Sequence, residues 1–302
     1  GALIYANGNG IILQNIILNY TPDNGNDVYV IFFDGCDYFK LLDSQINFEA
    51  HNLEEFYEYG IKILDCSQSL IQGNLINVSL PLVKVNYEET GLDQDYPLGI
   101  GIGRCEDIMV KDNEIIANVN EIAVDFTTLS AILVADSSDI TFNSNNITEN
   151  DFLTPQGSAN CLYAFYLNNN NQVSIEKNNI SVKTEGGDNS EGTAYAIQSM
   201  ISNIDVIGNS ITCISNGPNI GVYMASLQGE SAVGYIANNM INVTGLASSE
   251  HFWALVSGVE VQNGDVKIYN NSIYTHNVGE YDDRVYCYGI SYSQWMYGER
   301  SF

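Results

Sequence analysis

A short pattern of apolar and polar positions recurs along the whole chain. It reads apolar-x-x-Asn-x-apolar, and nine copies recur about every 32 residues. Two weaker copies come first, centred on Asn15 and Ser44. The clear copies are centred on Asn74, Asn113, Asn145, Asn178, Asn209, Asn239 and Asn271. A fixed period of this length predicts a stacked repeat architecture.

The repeated element has the periodicity of a β-strand. Apolar residues alternate with polar ones within each copy, as at Val173, Ile175, Ile180 and Val182. Alternation with period two indicates strands, whereas the 3.6-residue stripes of amphipathic helices are hard to find in this chain. A further short strand precedes each copy, such as the Gly-Ile-x-Ile segment at residues 60–63. One repeat therefore contains three short strands and three turns, the last of them long and variable.

Such a unit cannot bury its apolar face alone, so the copies are expected to stack. Stacking predicts an all-β solenoid with three parallel sheets and nine to ten coils of about 32 residues, spaced about 4.8 Å apart. The asparagines then form a ladder, because each side-chain amide has donors and an acceptor and suits a sharp bend. We interpret them as architecture and not as a site.

A second column lies eight residues before the ladder position. It contains Cys36, Cys66 and Cys105 on three consecutive coils, and Ser137 and Asn170 on the next two. This repetition indicates a tight bend where only a small side chain fits inward. Stacked residues have parallel Cβ vectors, which is poor geometry for a disulfide. We therefore predict free, buried thiols that pack as small hydrophobic groups.

Composition excludes several classes of protein. Hydrophobic residues make up 45% of the 302 residues, which argues against global disorder. The formal charge of −27 argues against a nucleic-acid partner, because phosphate neutralisation needs clustered Lys and Arg. No apolar run approaches the length of a membrane span, and no signal peptide opens the sequence. None of the six cysteines forms a CxxC motif, so a zinc site has no support.

The repeated Gly-Ile-x-Ile, polar turn, Ile-x-x-Asn-x-Ile unit resembles the right-handed parallel β-helix of the pectate-lyase-like superfamily. This resemblance covers the chain from Leu3 to about Tyr292. The acidic, Asn- and Tyr-rich composition also resembles the adhesin-like surface proteins of methane-producing archaea. The resemblance implies a single parallel β-helix domain over residues 1–302, which we expect to be a fragment of a longer surface protein.

Four residues are candidates for a site on the first strand of the repeat. Asp65, Arg104 and Asp136 stand nine residues before the ladder position on consecutive coils, and Lys62 lies on the same strand as Asp65. In the superfamily, the outer face of that strand is where enzyme sites lie. The four residues are our candidates for saccharide binding, and Asp65, Arg104 and Asp136 are weak candidates for catalysis. The alternative is a surface charge ladder that contributes little to stability.

The sequence leaves catalysis uncertain and leans against it. A lyase or hydrolase of this superfamily is expected to need a basic or carboxylate cluster, and no Arg-x-Lys motif is present. The three His residues fall in or beside variable turns, and an Asp-Asp pair stands in another turn: His51, His251, His276 and Asp282-Asp283. We expect no cofactor and no metal site. Calcium held by acidic turn residues is the alternative, and the candidates are Asp37, Asp107, Asp139 and Asp265.

The sequence therefore predicts an extracellular, cell-surface protein of adhesin type, without catalytic activity, that presents its long turns to a partner. Tyrosine accounts for 20 residues, and exposed tyrosines are good stacking partners for sugar rings, although β propensity alone also favours them. The expected partners are a polysaccharide, a cell-surface glycan or a surface protein of another cell. The alternatives are a polysaccharide lyase or glycoside hydrolase with its site on the first-strand face, and a purely structural spacer.

Overall fold

The computed structural model describes residues 2–21, 29–49, 60–80, 96–119, 127–154, 160–186, 192–226, 232–246, 254–278 and 285–293. These residues form 28 β-strands, which we number β1 to β28 in chain order, and no helix occurs among them. The described part of the chain accordingly contains no helix that is long and apolar enough to cross a membrane.

The strands form three parallel sheets. The first sheet contains β1 (Ala2–Ala6), β4 (Tyr29–Asp34), β7 (Ile61–Leu64), β10 (Tyr96–Gly103), β13 (Thr127–Ala135), β16 (Asn160–Asn168), β19 (Gly192–Met200), β22 (Asn219–Ala225), β25 (Ala254–Gln262) and β28 (Val285–Ser293). The second sheet contains β2 (Ile12–Gln14), β5 (Lys40–Leu42), β8 (Ser67–Gln72), β11 (Glu106–Lys111), β14 (Ser138–Asn143), β17 (Asn171–Glu176), β20 (Asn203–Ile207), β23 (Ala232–Ala237) and β26 (Gly264–Tyr269). The third sheet contains β3 (Ile17–Tyr20), β6 (Gln45–Glu49), β9 (Leu75–Leu80), β12 (Glu114–Val119), β15 (Asn146–Thr154), β18 (Asn179–Gly186), β21 (Ser210–Ser215), β24 (Met240–Gly245) and β27 (Ser272–Asn277).

The chain passes through one strand of each sheet in turn and then begins the next coil. Each strand pairs with the strands of the coils before and after it, so Ile61 lies in register with Ile31 and with Ile100. The described residues complete nine coils, and β28 begins a tenth. The prediction of an all-β solenoid with three parallel sheets and nine to ten coils is confirmed.

The core runs along the inside of the coils. Alternate residues of every strand point inward, which is why the sequence alternates apolar and polar positions. Phe33 stacks on Phe39 with ring centroids 4.0 Å apart, and Phe142 meets Phe165 edge-on at 5.0 Å. Both pairs are fully buried between sheets one and two. Burial of such a side chain contributes about 1.5–3 kcal/mol relative to leaving it exposed.

The asparagine ladder exists and joins the coils at the bend before the third sheet. The backbone N–H of Asn145 donates to Asn178 Oδ1 at 2.8 Å, and Asn145 Nδ2 donates to Val110 O at 2.9 Å. Asn145 Oδ1 in turn accepts from the backbone N–H and from Nδ2 of Asn113, both at 3.0 Å. Each ladder residue thus binds the coil before it and the coil after it. The same contacts recur in the clear copies of the motif from Asn74 to Asn239.

The first ladder position was predicted one residue too early. Ile16, and not Asn15, donates its backbone N–H to Ser44 Oγ, and Asn15 stands in the bend with a φ of 54°. Asp43, Asp112 and Ser144 occupy the same bend position with positive φ in later coils. The left-handed residue is therefore the one before the ladder asparagine, because the asparagine itself must turn its amide inward.

The cysteine column forms a second ladder at the bend between the first and second sheets. Cys36, Cys66 and Cys105 are free and buried, as predicted. The backbone N–H of Cys36 donates to Cys66 Sγ at 3.2 Å, and the Cys66 thiol donates to Leu64 O at 3.0 Å. Sulfur thus takes the acceptor role that Oδ1 of asparagine takes in the first ladder. In the next coils that role passes to Ser137 Oγ, Asn170 Oδ1 and Ser202 Oγ.

Candidate functional site

One column of outward-facing residues runs along the whole first sheet. Register places these residues directly above one another, one per coil, and we call the column the outer strip. It consists of Tyr5, Phe32, Lys62, Gly101, Leu133, Tyr166, Gln198, Tyr223, Glu260 and Ser291. A straight column of this kind suits an extended ligand that lies along the axis of the solenoid.

Tyrosines form a contact cluster on the later half of the strip. Tyr163 stacks on Tyr195 with ring centroids 5.3 Å apart, and Tyr166 meets Tyr163 edge-on at 5.4 Å. Tyr195 in turn meets Tyr223 edge-on at 5.7 Å. Burial raises the pKa of the hydroxyl of Tyr195, and burial together with Glu260 raises that of Tyr223. The cluster therefore combines ring faces with hydroxyls that stay protonated.

Lys62 lies on the earlier half of the strip and is paired with aromatic side chains. Its Nζ donates to the hydroxyl of Tyr29 at 2.7 Å and lies 4.6 Å from the centre of that ring. The Phe32 ring centre is 5.6 Å away. Cation–π contact of this kind holds the ammonium against the sheet. Lys62 is thus a member of the strip, as expected of a residue in the middle of β7.

Asp65, Arg104 and Asp136 do not lie on the strand face where we predicted them. Each follows the last residue of a first-sheet strand and occupies the bend with a φ between 51° and 53°. The three side chains therefore form a row at the carboxyl ends of the strands, beside the outer strip. The residue that follows each of them points inward and belongs to the cysteine ladder. The three residues themselves are therefore left at the outer side of the bend.

The first two members of this row form an ion pair. Arg104 Nε and Nη2 donate to the two carboxylate oxygens of Asp65 at 2.8 and 2.7 Å. The side chains are 58% and 50% exposed, so water and salt weaken the attraction. The hydrogen bond from Arg104 holds the pKa of Asp65 below its usual range, and Asp65 raises that of Arg104. This pair has the geometry of the charge ladder that the sequence left as an alternative.

Asp136 pairs with the next coil instead of with Arg104. Asn169 Nδ2 donates to Asp136 Oδ1 at 2.6 Å. A shallow depression of about 400 Å³ lies here, lined among others by Arg104, Asp136 and Asn169. With Glu106 and Asn171 also in its lining, it offers one guanidinium, two carboxylates and two amides, which are groups that can bind sugar hydroxyls.

The arrangement of the row does not favour acid catalysis. A group that protonates a leaving oxygen needs a pKa raised towards the working pH. The ion pair with Arg104 does the opposite to Asp65, which stays ionised. The row is therefore better suited to holding a polar ligand than to cleaving one.

The other candidate residues are dispersed or lie outside the described part. In the described ranges no three His, Cys, Asp or Glu side chains lie close enough together to hold a metal ion. Asp37 accepts from Ser67 Oγ at 2.6 Å, and Asp107 and Asp139 occupy bends with positive φ. His276 lies on β27 beside Tyr274, with ring centroids 4.7 Å apart. His51, His251, Asp282 and Asp283 lie outside the described residues.

Sequence analysis missed Glu260 and the individual members of the tyrosine cluster. The signal was present, because every strip residue from Lys62 to Glu260 occupies the x position of the Gly-Ile-x-Ile motif or its variants. Aligning that position across the repeats gives Lys62, Gly101, Leu133, Tyr166, Gln198, Tyr223 and Glu260. We had aligned the bend position three residues later instead.

Comparison with known proteins adds no relative. No family model, no curated protein and no solved structure matches this chain. The fold description rests on the three sheets and their register, and any functional conclusion rests on the chemistry of the outer strip and the bend row.

Proposed function

We propose that this protein is a non-catalytic, adhesin-like surface protein that binds a glycan along the outer strip of its first sheet. In this proposal it acts outside the cell, and its parallel β-helix is of the pectate-lyase-like kind. The ligand is a polysaccharide or a cell-surface glycan. A surface protein of a partner cell is the alternative ligand.

The tyrosine cluster is the observation that carries the proposal. Tyr166 and Tyr223 lie in line with Gln198 and Glu260, and Tyr195 and the buried Tyr163 join them through ring contacts. Aromatic rings present an apolar face to the C–H side of a sugar, and neighbouring polar groups bind its hydroxyls. The cysteine ladder at the carboxyl ends of the first-sheet strands holds one side of this face in place, which lowers the entropic cost of binding.

The state of Asp65 favours binding over cleavage. A glycoside hydrolase needs two carboxylic groups, one of them protonated, on opposite sides of the scissile bond. Asp65 is held ionised by Arg104, and Asp136 accepts a hydrogen bond from Asn169. The bend row therefore supports a role in holding the ligand beside the strip.

A glycan array combined with an assay for cleaved ends tests the proposal. We expect the protein to bind one class of glycan and to release no reducing ends and no unsaturated ends. Tyr166→Ala should weaken binding about tenfold, since it removes one stacking platform. Tyr235→Ala is the matched control, because Tyr235 faces outward on the second sheet and is 39% exposed.

Three results would overturn this function. New reducing ends would indicate a hydrolase, and unsaturated ends a lyase. Absence of binding to every glycan would leave the structural spacer or the protein-binding role.

A further inference from the structure

Glu260 is a carboxylate on the outer strip that has lost most of its contact with water. It is 7% exposed and lies in register between Tyr223 and Ser291. Gln262 Nε2 donates to Glu260 Oε1 at 2.9 Å. The second oxygen, Oε2, is buried and has no hydrogen-bond partner. The outer strip thus carries an acceptor that no described side chain satisfies.

A buried carboxylate oxygen without a donor is costly, since desolvation removes its bonds to water. A buried acceptor of this kind calls for a donor, which a ligand, a water molecule or a cation can supply. The neighbouring Tyr223 hydroxyl stays protonated, because burial and Glu260 both raise its pKa. Glu260 and Tyr223 therefore offer a charged acceptor and a neutral hydroxyl on two neighbouring strands of the first sheet.

The charge around Glu260 restricts the ligand. Lys62 is the only cation among the members of the outer strip, and its strand lies six strands away from that of Glu260 in the first sheet. At about 4.8 Å per strand that is about 29 Å, well beyond a Debye length of about 8 Å in physiological salt. Lys267 of the same coil lies over the Tyr235 ring on the second sheet, with its Nζ 5.3 Å from the ring centre. An acidic sugar at Glu260 would meet a like charge.

We propose, on the basis of the proposed function, that Glu260 and Tyr223 form a subsite for an uncharged sugar unit. A hydroxyl of the sugar donates to Glu260 Oε2, and the C–H face of the sugar packs on the Tyr223 ring. The subsite selects neutral hexose polymers over uronates, because the carboxylate of a uronate would be repelled by the like charge of Glu260.

Binding of length-matched oligosaccharides to the full chain tests the subsite. The probes are neutral oligomers of glucose, galactose and mannose, and an oligogalacturonate. Wild-type protein should bind one neutral series at least tenfold more tightly than the oligogalacturonate. Glu260→Gln should weaken that binding about tenfold to a hundredfold, because a bond to a charged acceptor is replaced by one to an amide. Glu176→Gln is the control, since Glu176 is a half-buried carboxylate on the outer face of the second sheet.

Each outcome is informative about a different proposal. If the wild type binds a neutral series and Glu260→Gln binds it equally well, the subsite is wrong and the proposed function stands. Preference for oligogalacturonate overturns the charge argument and with it the subsite. Failure to bind any glycan overturns the proposed function itself. Tyr223→Ala removes the stacking ring, so a loss of about tenfold in a variant that keeps its melting temperature tests the subsite independently should Glu260→Gln misfold.

Discussion

At the scale of single residues, the ladder asparagines are the most constrained side chains of the protein. From Asn74 to Asn239 each is nearly fully buried, its side chain bonds backbone groups of the preceding coil, and its own backbone N–H donates to the ladder residue of the next coil. Such a residue cannot be exchanged for an apolar one of similar size, because both partners would lose their hydrogen bonds. The polar interior of the bend thus depends on one residue type.

Asn145→Leu should destabilise the protein by about 2–5 kcal/mol. It leaves the backbone N–H of Asn113 without its acceptor and removes the donor from Val110 O, and each such buried group costs about 1–3 kcal/mol. Urea unfolding measures the change. The control is Asn146→Leu, an exposed neighbour whose column already contains Leu75. Equal stability of the two variants would remove the ladder as a source of stability.

The buried thiol of Cys213 makes the protein less stable as the pH becomes alkaline. It lies in the core between Val182 and Val243, and burial raises its pKa. A raised pKa in the folded state means that the neutral thiol stabilises fully below the unfolded value of about 8.5. This stabilisation is lost progressively above that pH.

Cys213→Val should reduce the loss of stability between pH 7 and pH 10 by about 2 kcal/mol. Stability at pH 7 should change by less than about 1.5 kcal/mol, because valine fills the same column in both neighbouring coils. Urea unfolding at the two pH values measures both numbers. Cys287→Val, at an exposed thiol, should leave the pH dependence unchanged. An unaltered slope in Cys213→Val would show that other groups set the alkaline limit.

At the scale of elements, the bends restrict which residue types can stand beside the outer strip. The bend residue directly after most first-sheet strands has a positive φ, as at Asp65, Arg104, Asp136 and Asn169. Asp and Asn tolerate this conformation, whereas β-branched residues do so poorly. The acids of the bend row are thus explained in part by backbone geometry.

Ile201 occupies the same bend with a φ of 51°, which is unfavourable for a β-branched residue. Ile201→Asn should stabilise the protein by about 1 kcal/mol, since it places there the residue that Asn169 provides in the preceding coil. Thermal unfolding checks the sign. The reverse change, Asn169→Ile, should lower the melting temperature. A melting temperature that falls in Ile201→Asn would mean that the half-buried isoleucine contributes more by packing than it costs in strain.

At the scale of the whole molecule, the ends of the stack expose core-facing residues. Ile290 and Tyr292 of β28 lie in register with buried Val259 and Val261, yet they are 53% and 61% exposed. At the other end, Ile4 and Leu13 face inward but are only partly buried. Exposed apolar groups beside unpaired strand edges favour association.

We therefore expect a chain of these 302 residues to associate with rising concentration through its first and last described coils. Ile290→Lys should reduce the apparent mass measured by light scattering, because a charge blocks the apolar end. The control is Met109→Lys, an outward-facing residue of the second sheet that is 41% exposed and lies far from either end. A mass that stays monomeric at all concentrations would contradict this expectation.

The sequence by itself determined the coil. Period-two alternation specifies the strands, the recurrent asparagine specifies the stacking, and the cysteine column specifies inward positions. Each of these signals depends only on neighbouring residues and on a repeat of nearly constant length. The sequence could not fix which residues share a surface. A shift of one position moves a side chain from the strand face to the bend, as at Asp65, or from the ladder to its preceding bend, as at Asn15. The repeat places Tyr223 and Glu260 in one column, but only the stacked coils decide that Glu260 is 7% exposed there, since its burial depends on the side chains packed around it.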